Sequence, residues 1–181
     1  SFDVMQNEEE VRLQWKTASE TNNSGFAVQH AVGEGSFERT GWVDGSGTTT
    51  ETQNYRFSVD DLSAGTHRFR LKQVDLDGTA HYSEVNTLTI RPDGPVAIER
   101  VSPHPVQSTS TVRLTARESG SVTVALYDVL GRRVQTVHDG QVAANQPEQF
   151  TINAGSLSAG TYFLRVTGES FTESQRITVA P

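Results

Sequence analysis

Five histidines, His30, His67, His81, His104 and His138, are the first side chains in this 181-residue sequence with the means to do chemistry. None stands at metal-ligand spacing from another, and no H-E-x-x-H pair occurs. His30 and His67 fall inside alternating segments, where a satisfied or edge histidine is the plain reading. No Gly-x-Ser-x-Gly elbow, phosphate loop or dinucleotide fingerprint is present. Gly33-Glu34-Gly35 and Gly45-Ser46-Gly47 lack the following helix that a phosphate cradle needs. Asp75-Leu76-Asp77-Gly78 has the oxygen spacing that opens a calcium loop, with Asp60-Asp61 as further oxygens. The glutamate that would close such a loop is missing, because position 86 is Asn86. The same four residues suit a hairpin turn in which Gly78 takes positive φ without strain. Trp15, Trp42, Tyr55 and Tyr82 would form a sugar-binding platform if they shared an exposed face. Trp15, however, alternates in phase with Val11 and Leu13 and reads as core, and Trp42 as a core or edge residue. Asn22-Asn23-Ser24 fits a glycosylation sequon too short to carry weight. The residues by themselves predict no catalytic group, no metal and no cofactor.

The elements that would carry these residues are strands. The pentapeptide Leu-Ser-Ala-Gly-Thr occurs at 62–66 and again at 157–161. Each copy runs into an alternating segment, with His67, Phe69 and Leu71 on one face of the first and Tyr162, Leu164 and Val166 on one face of the second. A period of two means a half-buried strand, and two distant copies predict two domains of similar plan. Val11–Trp15, Phe26–His30, Phe37–Val43, Tyr55–Val59 and Tyr82–Ile90 read as further strands of the first domain, with an edge strand near Phe2–Met5. Thr21–Gly25 and Gly45–Thr50 read as loops by composition. Arg91-Pro92-Asp93-Gly94-Pro95 reads as a short stiff boundary, since two prolines around a glycine cannot extend a ladder. Beyond it Val96–Val101, Thr111–Ala116, Val122–Tyr127, Arg132–Val137, Phe150–Ile152, the second pentapeptide strand and Phe171–Val179 repeat the pattern, with turns at Asp128–Gly131 and Asp139-Gly140. The expected fold is all-β: two tandem antiparallel β-sandwiches, about seven strands each, over residues 1–91 and 96–181, joined by a hinge at 92–95.

Composition agrees with small β domains: 34% of residues are hydrophobic, and Gly and Thr are frequent. The net charge of −7 excludes duplex nucleic acid as the expected partner, because phosphate binding needs a basic stripe. Only Lys16 and Lys72 are lysines, and the arginines are scattered apart from Arg132-Arg133. No cysteine is present, so there is no disulfide framework, although an exported bacterial protein can do without one. No apolar run is long enough to span a membrane, and no signal peptide stands at the start. Beginning at Ser1, the chain reads as an excised piece of a longer protein.

The second half carries an ordered set of motifs: Pro103-x-Pro105, Tyr127-Asp128-x-x-Gly131-Arg132-x-Val134, Leu157-x-x-Gly160-x-Tyr162 and a last strand with Arg176. In that order and spacing, from about Val101 to Pro181, it resembles the C-terminal sorting domain of the type IX secretion system. The first half, through Trp15–Phe26 and Arg70–Gly78, resembles the fibronectin-III-like module that often precedes that domain. The second half departs from the family pattern at His104, where Asn is usual, at Val106, where an aromatic is usual, and in a terminus without lysines.

The resemblance implies a non-catalytic C-terminal tail that directs a larger exported protein through the outer membrane of a Gram-negative bacterium, via the periplasm. Its implied partners are the outer-membrane translocon and a surface sortase that attaches the cargo to the cell surface. The first domain would be a spacer, and the Arg91–Pro95 hinge the cleavage point. Physics assigns fold maintenance to Tyr127, Asp128, Gly131 and Tyr162, through buried rings, an Asx-type turn and a positive-φ glycine. Direct contact with the machinery is expected of Arg132, Arg133 and Arg176 if exposed. The alternative is a carbohydrate-binding or adhesion module in which Trp42 and Tyr82 of the first domain grip a polysaccharide. A third reading is an assembly protein whose strand edges pair between copies, against an expectation of a monomer.

Overall fold

The computed structural model describes residues 1–7 and 10–181, and the chain divides into two compact units, Ser1–Ile90 and Arg91–Pro181. The first holds β1 (Phe2–Asn7), β2 (Glu10–Thr17), β3 (Glu20–Val32), β4 (Glu38–Thr49), β5 (Gln53–Asp60), β6 (Gly65–Asp75), β7 (Ala80–Tyr82) and β8 (Asn86–Ile90). The second holds β9 (Val96–Ile98), β10 (Thr109–Ala116), β11 (Gly120–Tyr127), β12 (Arg133–Val142), β13 (Pro147–Asn153), β14 (Gly160–Thr167) and β15 (Thr172–Val179). All pairings between these strands are antiparallel, and no helix occurs among the described residues. The protein is all-β.

Each unit is two sheets closed on one core. In the first unit the sheets are β1-β2-β5 and β4-β3-β6-β7, with β8 also on β6; in the second they are β9-β10-β13 and β12-β11-β14-β15. Counted from the start of each unit, the orders are the same: 1-2-5 and 4-3-6-7. Both pentapeptides enter the sixth strand of their unit, so the sequence echo marks equivalent places in one plan. Alternation supplies the cores. Val11, Leu13 and Trp15 on β2 face Phe26, Val28, Phe69 and Leu71 on β3 and β6, and Trp15 stacks on Tyr55 with ring centroids 5.5 Å apart. In the second unit Val112, Leu114 and Ile152 face Val124, Leu126, Leu164, Val166 and Ile177. Burying each such side chain contributes about 1.5–3 kcal/mol, which is what holds these small sandwiches together.

Several polar stretches fold differently from their composition. Thr21–Gly25 and Gly45–Thr49 are not loops; they extend β3 and β4, which pair there through irregular register. The organising residue is Glu20, buried at 5% exposure. Its carboxylate accepts hydrogen bonds from Thr17 Oγ1 (2.8 Å), Asn23 Nδ2 (2.8 Å), Ser46 N–H (2.8 Å) and Tyr55 Oη (2.6 Å). Gly45 allows the close approach, because a Cβ there would stand 2.5 Å from Asn23 Nδ2. Tyr82–Ile90 is two short strands rather than one. Between them Ser83 takes the ladder bonds at Leu71, its Oγ accepting from Leu71 N–H and its N–H donating to Leu71 C=O (both 2.9 Å), and Val85 is exposed. Asp139-Gly140 is not a turn: both residues pair with β11, opposite Thr123 and Val122, and β12 runs on to Val142. The segment after Arg91 is tied to the second unit, where Arg117 donates its N–H to Pro95 C=O at 2.9 Å and its guanidinium to the carbonyls of Pro92 and Asp93.

Candidate functional site

The Tyr127–Val134 motif forms a clamped hairpin between β11 and β12. Asp128 Oδ1 accepts from Leu130 N–H and Arg132 N–H, each at 2.9 Å, and Oδ2 accepts from Arg132 Nε at 2.7 Å. Gly131 N–H donates to Asp128 C=O, Asp128 N–H donates to Arg132 C=O, and Gly131 sits at φ 78°, where L side chains are strained. The donors from Arg132, backbone first, hold the Asp128 carboxyl below its ordinary range. Val129 and Leu130 consequently stand out from a fixed turn, 67% and 75% exposed, beside the exposed Arg132 and Arg133. Val134 is also exposed.

Register extends this hairpin across its sheet. Arg133 pairs with Tyr127, Tyr127 with Phe163 and Phe163 with Arg176, so one row crosses β12, β11, β14 and β15. The row lies on the outer face, because the neighbours Leu126, Tyr162, Leu164 and Ile177 point into the core. Arg165 lies 4.3 Å over the Tyr127 ring, which is therefore half-buried under a cation rather than buried in the core. Phe163, absent from the motif, keeps 38% of its surface exposed in the middle of this row. Its outward phase opposite Tyr162 and Leu164 is the sequence signal that would have found it.

The other motif residues belong to the frame. Tyr162 is 8% exposed, and its hydroxyl donates to Ser158 C=O at 2.8 Å. Leu157 packs against the core, and Gly160 opens β14 with an extended backbone, φ 159°. Pro103 and Pro105 belong to a strap laid along β15. Ser110 Oγ donates to Pro103 C=O (2.6 Å), Val106 N–H to Thr178 C=O (2.8 Å), Ala180 N–H to Val106 C=O (2.8 Å), and Thr178 N–H to His104 Nε2 (3.1 Å). Arg176 lines a cavity of about 530 Å³ there, with Arg100, Val101, His104, Gln175 and Ile177. The structure thus gathers Tyr127, Arg133 and Arg176 on one face beside Asp128–Arg132, and leaves Pro103, Pro105, Leu157, Gly160 and Tyr162 as its support.

In the first unit, Asp77 Oδ1 accepts from Thr79 N–H at 2.8 Å and Gly78 takes φ 87°, so the Asp75–Gly78 oxygens serve the turn. No group of three or more His, Cys, Asp or Glu positioned to hold a metal occurs among the described residues. The spacing of His30 and His67 in sequence conceals that the fold joins them, His30 Nε2 to His67 Nδ1 at 2.9 Å. His67 Nε2 meets Ser63 C=O at 2.9 Å and must be the donor there, since a carbonyl only accepts. His67 Nδ1 then accepts from His30 Nε2–H, which assigns both tautomers to neutral rings. Burial pushes both imidazoles below their usual pKa, His30 further through its neighbour His67. Trp15 and Tyr55 are core, whereas Trp42 and Tyr82 lie on the outer face of the other sheet.

The second unit is thus a β-sandwich whose motif residues divide between one outer sheet face and the frame beneath it. Residues 100–180 match the family model of the secretion system C-terminal sorting domain, and this part of the chain is a type IX sorting domain. No match was found among curated proteins. Of solved structures, dimeric latent PorU from Porphyromonas gingivalis is similar at 14% identity and TM-score 0.40, over 99% of this chain and 20% of that one. The fibronectin(III)-like modules of Clostridium thermocellum CbhA are similar at 13% identity and TM-score 0.34, over 94% and 85%. Red sea bream transglutaminase is similar at 9% identity and TM-score 0.34, over 100% and 31%. The chain spans about one fifth of the PorU chain. At these TM-scores the assignment rests on the family match.

Proposed function

We propose that the chain is the non-catalytic C-terminal part of a larger exported protein. Its second unit directs passage through the outer membrane and attachment at the cell surface by the type IX system, its first unit is a spacer, and the chain is a monomer. The family match over residues 100–180 is the observation that carries this reading. The clamped Asp128 hairpin and the exposed Arg132, Arg133 and Arg176 support it, because a signal read as a folded object needs a stiff frame and presented charges. The translocon and the surface sortase are the partners, and guanidinium groups suit carboxylates on them. Fusing Arg91–Pro181 to a periplasmic reporter, in a host with this system, should bring the reporter to the cell surface. A reporter that stays periplasmic while the domain is folded would contradict the reading.

A further inference from the structure

The first unit is acidic overall, with fourteen Asp and Glu against seven Lys and Arg over residues 1–90. Four of those seven cations nevertheless share the outer face of one sheet. Register places Trp42, Ala27, Lys72 and Tyr82 in one row across β4, β3, β6 and β7, Arg39, Gln29 and Arg70 in the next, and Ala31 and Arg68 in a third. This face is the outward one, since Phe26, Val28, Phe69 and Leu71 between these positions form the core. Arg68, Arg70 and Lys72 follow one another along β6 at the two-residue strand repeat, about 6.6–6.8 Å apart.

Aromatic rings interleave with the cations. The Arg70 guanidinium lies between Phe37 (4.2 Å) and Tyr82 (4.4 Å), Lys72 is 6.0 Å from the Tyr82 ring, and Arg39 is 5.2 Å from Trp42. Arg70 Nε is fixed by Gln29 Oε1 at 2.8 Å, which leaves its terminal amino groups as an oriented fork. Arg68 is engaged by Gly35 C=O and by Glu34. Among the described residues no carboxylate stands within ion-pair distance of Arg39, Arg70 or Lys72. Uncompensated cations gathered on an acidic unit, held by rings rather than by carboxylates, define the chemistry of what fits them.

We propose that this face binds an acidic polysaccharide of the uronic-acid type. Tyr82, 54% exposed, and the half-buried Trp42, whose indole N–H donates to Asp44 Oδ1 at 2.8 Å, stand at the two ends of one row roughly 14 Å apart and offer ring faces for sugar CH groups, with the covered Ala27 and the Lys72 side chain between them. Arg70 offers its fork to a carboxylate, with Lys72 and Arg39 as flanking charges. A neutral glycan would leave those cations unused. A nucleic acid is the competing polyanion, but its phosphates need a continuous basic stripe, which Arg39, Arg70 and Lys72 are too few to make.

Titration of the full 181-residue chain with polygalacturonate, with dextran and single-stranded DNA alongside, tests the assignment. Polygalacturonate should bind with an affinity that falls as salt is raised. Arg70→Ala should weaken binding at least about tenfold, and Arg70→Lys, which keeps the charge and loses the fork, should weaken it less, each with an unchanged melting temperature. Tyr82→Ala, at a site too exposed to endanger folding, should also weaken it. Absence of polygalacturonate binding, equal binding of dextran, tighter binding of single-stranded DNA, or binding that the folded Arg70→Ala and Tyr82→Ala variants retain would each overturn it.

Discussion

The two units solve the same corner with different chemistry. Leu62-Ser63-Ala64-Gly65-Thr66 and Leu157-Ser158-Ala159-Gly160-Thr161 both lead into the sixth strand of their sandwich, and the residue that follows is buried in each. In the second unit that residue is Tyr162, whose hydroxyl donates to Ser158 C=O; in the first it is His67, whose Nε2 meets Ser63 C=O. One backbone carbonyl, four residues back, is satisfied by a phenol in one unit and by an imidazole in the other. An imidazole can change its charge within the physiological range. The corner of the first unit is therefore titratable, and burial pushes its imidazole below the usual pKa.

The strongest way to break the comparison is to remove the corner of the second unit. Tyr162→Ala should cost about 3–5 kcal/mol, and Tyr162→Phe only about 1 kcal/mol, because the ring then remains and one hydrogen bond is lost. Amide hydrogen exchange read separately over each unit should show the loss in Arg91–Pro181. A Tyr162→Ala variant that kept its melting temperature and lost export would make Tyr162 a contact residue instead. Next in size is Glu20, a device without a counterpart in the second unit. Glu20→Ala orphans the donors of Tyr55, Asn23, Ser46 and Thr17 and should destabilise the first unit by roughly 3 kcal/mol in denaturant titration. Burial opposes the charge of Glu20, but the bonds from these four donors outweigh it and hold its carboxyl below the usual range.

A smaller effect separates the units by pH. His30 and His67 bind protons less readily in the folded chain than in the unfolded one, so the unfolded state takes up more protons as pH falls below about 6.5. The stability they contribute is complete above that pH and is lost on acidification. Exchange protection of the first unit should drop between pH 7.5 and 5. Tyr162→His should bring the same acid sensitivity into the second unit. The smallest expected effect on stability is that of Arg132→Ala at the exposed hairpin tip. It should leave the melting temperature almost unchanged while lowering export about tenfold, the worth of one charge-assisted hydrogen bond at an interface.

The contrast also marks what a sequence can tell. Val11, Leu13 and Trp15, or Leu164 and Val166, announce their strands because alternation is a local property. The pentapeptide echo reports a shared plan because it falls at the same strand of both units. Thr21–Gly25 and Gly45–Thr49 read as loops because the group that makes them strands, Glu20, takes its donors from up to 35 residues away. The contact between His30 and His67, 37 residues apart, is likewise set by the register of β3 on β6. At the outer face of the second unit, Asp128 and Gly131 are legible from turn chemistry. The row Arg133–Tyr127–Phe163–Arg176 needs the pairing of four strands before it exists.

The division of labour between the units is tested most directly by exchanging them on one cargo. A periplasmic reporter fused to Arg91–Pro181 and the same reporter fused to Ser1–Ile90 would be expressed in a host with a type IX system, and the surface-exposed fraction of each measured by protease accessibility on intact cells. The Arg91–Pro181 fusion should be at the surface and the Ser1–Ile90 fusion in the periplasm. Equal export of both, or export that requires the two units together, would contradict the assignment of the signal to the second unit.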